Sequence, residues 1–255
     1  MRVVFLGSGT SQGVPVITCK CDVCVSNDAH DYRLRSSVLI ELQEKTIVID
    51  AGPDFRQQML REKVMKLDAI LLTHSHKDHI GGLDDVRAFN YNQSKPMDIF
   101  ADEQTALTVK SDFFYAFTDI KYPGVPKMNI HIFDNNEFMV HNISVIPIKA
   151  LHQKTQVWGF RIGKFAYLTD VSQISNIEKQ KLLGLDTLVV NALRIEKHYS
   201  HFNLDEAISL ANEVQPKQTY FTHISHNMGL YADVNRTLPN NMHLAYDGLT
   251  IEIKE

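Results

Sequence analysis

A chain of 255 residues can bury one large core or two small ones. With 44% hydrophobic and 22% charged residues it is ordinary for a globular protein, and a net charge of -4 argues against a broad basic surface for polynucleotides. The opening apolar run is too short for a signal peptide and no stretch approaches the ~18 apolar residues of a membrane span, so a cytoplasmic protein is expected.

Residues 3–6 read as a first strand, and Gly7 to Gly13 as a tight turn whose glycines let backbone approach a site. This turn imitates a dinucleotide fingerprint, but Pro15 and a cysteine loop follow it where a helix is required. Its amides offer a place for phosphate. All three cysteines lie in Cys19-Lys20-Cys21-Asp22-Val23-Cys24, too close and too few for a disulfide framework. They supply three soft ligands, and a structural zinc would need a fourth from elsewhere.

Residues 35–42 and 46–50 read as paired strands, and 55–63 as a helix. Asp50 ends the second strand, where it either accepts a hydrogen bond from a ligating imidazole or caps a turn. Residues 66–72 form a buried strand that runs into Thr73-His74-Ser75-His76-Lys77-Asp78-His79, with a helix opening after it. Imidazoles plus a carboxylate at a strand's C-terminal end are a ligand set for zinc, manganese or iron.

Helical character continues over residues 82–89, and residues 97–100 read as a strand. A helix over 103–117 should bury Leu107, Phe113, Phe114 and Phe117, and Tyr122 to Pro126 should form a loop lining a pocket. Strands follow at 130–133 and 143–148, with His131 and His141 read as surface or satisfied core residues. His152 comes just after the second of these. A hairpin over 159–170 ends on Asp170, and residues 188–191 form another buried strand. Asn203 caps a helix, with Glu206 at the capping-box position and Leu204, Ala207, Ile208, Ala211 and Val214 on the buried face. Residues 218–223 form a strand ending on His223, and the tail 243–253 adds a closing strand turning at Asp247-Gly248. No linker interrupts this order, so residues 1–255 read as one domain. Two sheets, each covered by helices on its outer face, give an α/β four-layer αββα sandwich.

His74, His76, Asp78, His79, His152, Asp170 and His223 are seven candidate ligands, enough for two ions bridged by Asp170. This pattern resembles the dinuclear set of the metallo-β-lactamase-fold hydrolases. Within that superfamily the chain resembles the PhnP family of phosphonate-pathway phosphodiesterases over nearly its whole length. The likeness is carried by Gly9-x3-Gly13-Val14-Pro15, the cysteine motif, Ile49-Asp50-Ala51-Gly52, Leu72-Thr73-His74, Leu168-Thr169-Asp170, Thr222-His223-Ile224-Ser225-His226 and Asp247-Gly248.

The resemblance implies that His74, His76 and His152 hold one zinc or manganese ion, that Asp78, His79 and His223 hold the other, and that Asp170 bridges them. It implies that His226 completes a structural zinc site with Cys19, Cys21 and Cys24. His201, in His201-Phe202-Asn203-Leu204, would act with Asp78 in catalysis, as general acid or as a phosphate grip. A plain helix-entry histidine is the other reading of His201, and His198 is its nearest competitor for the role. The implied activity is metal-dependent hydrolysis of a small phosphodiester, of the cyclic ribose phosphate kind, by a hydroxide bridging the two metals. A tRNA 3′-processing endonuclease shares the metal motif but would need a basic arm. Coenzyme-biosynthesis relatives that share the zinc loop act as oxygenases or carriers. A small phosphodiester is thus the expected partner, without membrane or nucleic acid, and a homodimer stays open.

Overall fold

Val3, Val4, Phe5 and Leu6 are all fully buried, which marks β1 (Arg2–Gly7) as a strand covered on both faces. In the computed structural model, which describes residues 1–118 and 123–254, β1 belongs to a seven-stranded sheet. Beside it β2 (Ser37–Leu42) and β3 (Lys45–Ile49) run antiparallel. Then β4 (Ala69–Leu71), β5 (Met97–Ala101) and β6 (Met128–Ile132) continue in parallel.

The second sheet repeats that plan. Its antiparallel half holds β7 (Phe138–Val140), β8 (Ile143–His152), β9 (Thr155–Ile162), β10 (Phe165–Leu168) and the short β11 (Gln173–Ile174). Parallel to β10 come β12 (Thr187–Asn191), β13 (Gln218–Thr222) and β14 (Met242–Leu244). Finally β15 (Thr250–Glu252) returns to the first sheet and pairs with β1.

Between the sheets lies one apolar layer, in which Phe5, Ile40, Ile49 and Leu71 share a cluster with Trp158, Phe160, Tyr167 and Val189. Phe55, Met59 and Phe89 pack helices Phe55–Arg61 and Arg87–Gln93 on the outer face of the first sheet. Helix Leu204–Val214 covers the second sheet through Leu204, Ala207, Leu210, Ala211 and Val214. The four-layer αββα sandwich expected from the sequence is what the chain forms. Among the described residues no helix is long and apolar enough to cross a membrane.

Several local expectations give way. The helix over 103–117 breaks at Phe113 into Glu103–Asp112 and Phe114–Phe117. Phe113 therefore turns inward, while Leu107 and Phe114 are 57% and 65% exposed. In helix Leu204–Val214 the buried position is Leu210, with Ile208 only partly covered. The tail gives two strands, because Asp247 and Gly248 turn the chain from one sheet to the other. Tyr122 lies outside the described residues; Pro123, Gly124 and Val125 do line a surface pocket.

Candidate active site

Asp50, His74, His152, Asp170 and His223 stand at or just beyond the C-terminal ends of β3, β4, β8, β10 and β13. Three of them turn the chain with left-handed backbone: Asp50 at φ 65°, Asp170 at φ 58° and His223 at φ 56°. Residues with a Cβ disfavour that region by roughly 1–2 kcal/mol, so the surroundings must hold them there. For Asp50 they do: its N–H bonds Leu71 O at 2.9 Å, and its carbonyl accepts from Ser37 Oγ at 2.8 Å. The next turn needs Gly52, since a Cβ there would sit 2.0 Å from Asp78 O. The two sheets meet at the motif itself, where Trp158 N–H bonds Thr73 O at 3.0 Å.

Asp50 is fully buried and orients two imidazoles at once. Its Oδ2 accepts from His79 Nδ1 at 2.7 Å and from the Thr73 hydroxyl at 2.8 Å, while Thr73 N–H bonds Oδ1 at 2.8 Å. With its hydrogen given to Asp50, Thr73 Oγ1 accepts from His74 Nδ1 at 3.0 Å. On the other sheet, His152 Nδ1 donates to Ser200 O at 2.7 Å. All three rings therefore carry a hydrogen on Nδ1 and turn Nε2 toward the site.

His74 Nε2 is buried without a partner. His79 Nε2 faces Asp78 Oδ2 and Asp170 Oδ2, both at 3.1 Å. A bare lone pair against two carboxylate oxygens would be repulsive, so Nε2 there takes up either a proton or a metal ion. Burial opposes charge on His79, yet Asp50, Asp78 and Asp170 outweigh it and raise its pKa well above the usual imidazole range. The donor set fits divalent metal in type and in arrangement.

Asp170 lies at the centre. Its Oδ2 is 3.2 Å from His223 Nδ1 and accepts from Thr169 Oγ1 at 2.8 Å, and its Oδ1 is 3.7 Å from His201 Nδ1. Despite burial, His223 and His79 hold its carboxyl well below the usual range. Ser36, Thr169 and Thr10 hydroxyls surround the His223 ring at 3.2, 3.3 and 3.3 Å. Donor atoms of Asp78, His79, Asp170 and His223 all lie within 4.8 Å of one another, as do those of His152, Asp170 and His201. His74 and His76 adjoin these groups through ring contacts of 4.2 Å (His74 to His79) and 5.3 Å (His76 to His152). Burial, with His223 beside it, lowers His201 to about 3.

Cys19, Cys21, Cys24 and His226 form a separate cluster, with sulfur atoms 3.3, 3.3 and 3.6 Å from His226 Nδ1. A tetrahedral zinc with ordinary Zn–S and Zn–N bonds sets S···N edges of about 3.5 Å, so the cluster has the dimensions of a closed structural site. The Cys24 N–H, with His226 adding to it, lowers the Cys21 thiol to about 6, and burial pushes Cys24 up to about 11. One stretch, Thr222 to His226, feeds both clusters and is pinned where Ile224 N–H bonds Ser8 O at 2.9 Å and Ser225 N–H bonds Leu193 O at 2.9 Å.

Sequence reasoning did not single out Thr73, Thr10, Ser36 or Ser200 as partners of these rings. A hydroxyl beside a histidine carries no signal of its own until the fold supplies the third member. The glycine turn also works differently from a phosphate cradle: the amides of Gly9, Thr10 and Gly13 bond Leu34 O, Ile224 O and Thr10 O. Gly9 is needed for close passage, because it bridges Arg35 and Ile224 and a Cβ would lie 2.8 Å from that of Arg33.

Residues 45–224 match a family model described as the β-lactamase superfamily domain. A solved structure described as a new diphosphatase from the PhnP family is 41% identical, covers 99% of this chain and 98% of its own, and superposes with a TM-score of 0.93. Zinc-bound PqqB from Methylobacterium extorquens, 21% identical over 99% of this chain and 100% of its own, shares the fold with a TM-score of 0.79. Among curated relatives, a Porphyromonas gingivalis protein named octanoyltransferase is 37% identical over 258 residues. That match takes in 100% of this chain and 52% of the relative, so the chain spans about half of that protein's length.

Proposed function

The chain belongs to the β-lactamase superfamily of metal-dependent hydrolases and, within it, to the PhnP family, and from that premise we propose that it hydrolyses a small ribose-bearing phosphodiester. The observation that carries the reading is the buried donor cluster itself: His79 Nε2 lies 3.1 Å from both Asp78 and Asp170, and His74 Nε2 is buried without a partner beside it. In this proposal His74, His76 and His152 would hold one divalent ion and Asp78, His79 and His223 the other, with Asp170 available to both. When bound, such a pair supplies Lewis-acid polarisation of a phosphoryl oxygen and water acidic enough to ionise near neutral pH. Zinc or manganese suits the nitrogen and oxygen donors, and zinc suits the thiolate cluster of Cys19, Cys21, Cys24 and His226.

The chain's own residues do the rest. Asp50 keeps the hydrogen on His79 Nδ1 and, through Thr73, on His74 Nδ1. His201 has its Nδ1 buried, unpaired and turned toward Asp170; lowered to about 3, the ring is neutral near neutral pH and serves as a hydrogen-bonding grip on the phosphate and its departing oxygen. A net charge of -4 suits a small substrate better than a polynucleotide, and reduced thiols suit a cytoplasmic setting.

The test is turnover by metal-loaded protein of bis(p-nitrophenyl) phosphate, phosphoribosyl 1,2-cyclic phosphate and a precursor tRNA. Opening of the cyclic phosphate, slowed by His201→Ala some 10²- to 10⁴-fold, is the expected result. Cleavage of the tRNA alone would move the protein to RNA processing. No turnover of any phosphodiester at full metal loading would refute the hydrolase reading and favour an oxygenase or carrier.

A further inference from the structure

The loop between β12 and helix Leu204–Val214 has no regular structure but is tied at many points. Leu193 N–H bonds Phe202 O and Leu204 N–H bonds Arg194 O, both at 3.0 Å, closing its neck. Within it Arg194 donates to Glu196 O at 3.2 Å and Lys197 O at 2.8 Å, and Asn203 Nδ2 donates to Ile195 O at 2.8 Å. Side chains on such a loop are presented in fixed positions.

Two of those side chains extend the ring cluster outward. The Tyr199 ring lies 4.5 Å from His198 at a tilt of 33°, and His198 lies 5.4 Å from His201 at 34°. His201 in turn stacks on His223 at 4.9 Å and 22°. A continuous run of rings therefore leads from Tyr199, 75% exposed, to the buried donor cluster. His198 Nδ1 accepts from Ser200, whose N–H is 3.4 Å away and whose hydroxyl is 3.1 Å away, so its hydrogen sits on Nε2 as a free-standing donor. Neither residue belongs to the metal-donor groups.

We propose that Tyr199 and His198 bind the half of the substrate that does not react, and that this half carries a heteroaromatic base. Tyr199 stacks on the base, and His198 Nε2–H bonds an oxygen of the ribose phosphate that joins the base to the reacting phosphorus. Among ribose-bearing phosphodiesters the platform favours nucleotide-like ones; a base-free cyclic phosphate would still react at the metal-donor cluster but would leave the platform unused. This rests on the phosphodiesterase reading for what happens at the metal-donor cluster, but the platform can be tested without turnover.

The experiment is calorimetric binding of adenosine 5′-monophosphate and of ribose 5-phosphate to metal-loaded protein. Stacking of one base on an exposed tyrosine should make the nucleotide bind about fivefold to tenfold tighter. That ratio should fall to about one in Tyr199→Ala and survive in Tyr199→Trp. Tyr199 is exposed, so neither variant threatens folding, and melting curves check that. Equal affinities in the wild type, a ratio that survives Tyr199→Ala, or no binding of either compound would overturn the platform. Absence of bis(p-nitrophenyl) phosphate turnover alongside an intact ratio would instead refute the hydrolase reading and leave the platform standing.

Discussion

Replacing Thr73 by valine removes one hydroxyl and keeps the side chain's shape. In the native site that hydroxyl donates to Asp50 Oδ2 at 2.8 Å and accepts from His74 Nδ1 at 3.0 Å. Asp50 keeps His79 and the Thr73 amide as donors, so its loss is partial. His74 loses this Nδ1 partner in a site where the residue is 2% exposed. An unmet buried donor costs about 1–3 kcal/mol. Moving the hydrogen to Nε2 would relieve that cost but would take away the lone pair a metal needs. Loss of the partner that orients a ligating histidine weakens metal binding about 10- to 100-fold, or ~1.4–2.8 kcal/mol. Thr73→Val should therefore weaken one of two divalent ions by that factor and leave the other unchanged, because His79 keeps its own bond to Asp50. Competition against a chelator of known affinity, followed by calorimetry, reads the two sites separately. Thr73→Ser should restore the weakened site. Equal weakening of both ions, or no rescue by serine, would refute the relay.

Cys19→Ser should lower the bound metal by one ion per chain in native mass spectrometry and lower the melting temperature, with His223 affected because only Ile224 and Ser225 separate it from His226. The Asp68 carboxylate, 2% exposed, accepts from Thr46 N–H at 3.0 Å and faces Lys66 at 3.2 Å and Lys95 at 3.6 Å. Burial opposes its charge, but Thr46 and Lys66 prevail and hold its pKa below the usual range. Its stabilisation is thus complete above the unfolded pKa of about 4 and fades as pH falls through the lower folded value. Asp68→Asn should be less stable than wild type at pH 7 by about 1–3 kcal/mol and converge with it in denaturant titrations once pH falls below the lowered folded value. Asn203→Ala removes the capping box with Glu206 and the bond to Ile195 O, and should cost about 1–2 kcal/mol in the same assay.

How much of this was legible in the sequence depended on whether a residue's role was local. The histidine motif, the cysteine spacing and the Asn203–Glu206 cap are short-range patterns whose chemistry dictates the residue types, and each stands in the structure as a group. Asp50 was half legible: a strand-end aspartate has two common uses, and only the fold shows His79 and Thr73 on it. The tail over 243–253 reads as one closing strand with Asp247-Gly248 as its turn, whereas membership of two sheets is decided by its pairing partners β13 and β1. Leu107 and Phe114 fit a helical stripe, yet helix Glu103–Asp112 buries Thr105, Ala106 and Val109 and leaves Leu107 outside, and the break at Phe113 turns Phe114 to solvent. The use of Asp247 was invisible: it accepts from the Ser8 amide and hydroxyl at 2.9 Å and from the Leu34 amide at 2.8 Å, partners scattered through the first 34 positions.

The left-handed turns at Asp50, Asp170 and His223 bear on any attempt to make the protein sturdier. Each holds a conformation that glycine or asparagine adopts more readily, but Asp50 satisfies three buried donors and Asp170 the Thr169 hydroxyl, so their loss would cost more than the strain it relieves. At His223 the balance differs, and a library screened for melting temperature in a chelating buffer would favour its loss. Screening with metal present reverses the pressure, because ligand binding then adds to the folded state what that residue takes from it. Thermal robustness and chemical competence are therefore opposed at one identifiable codon, and the buffer decides which of them a directed-evolution campaign recovers.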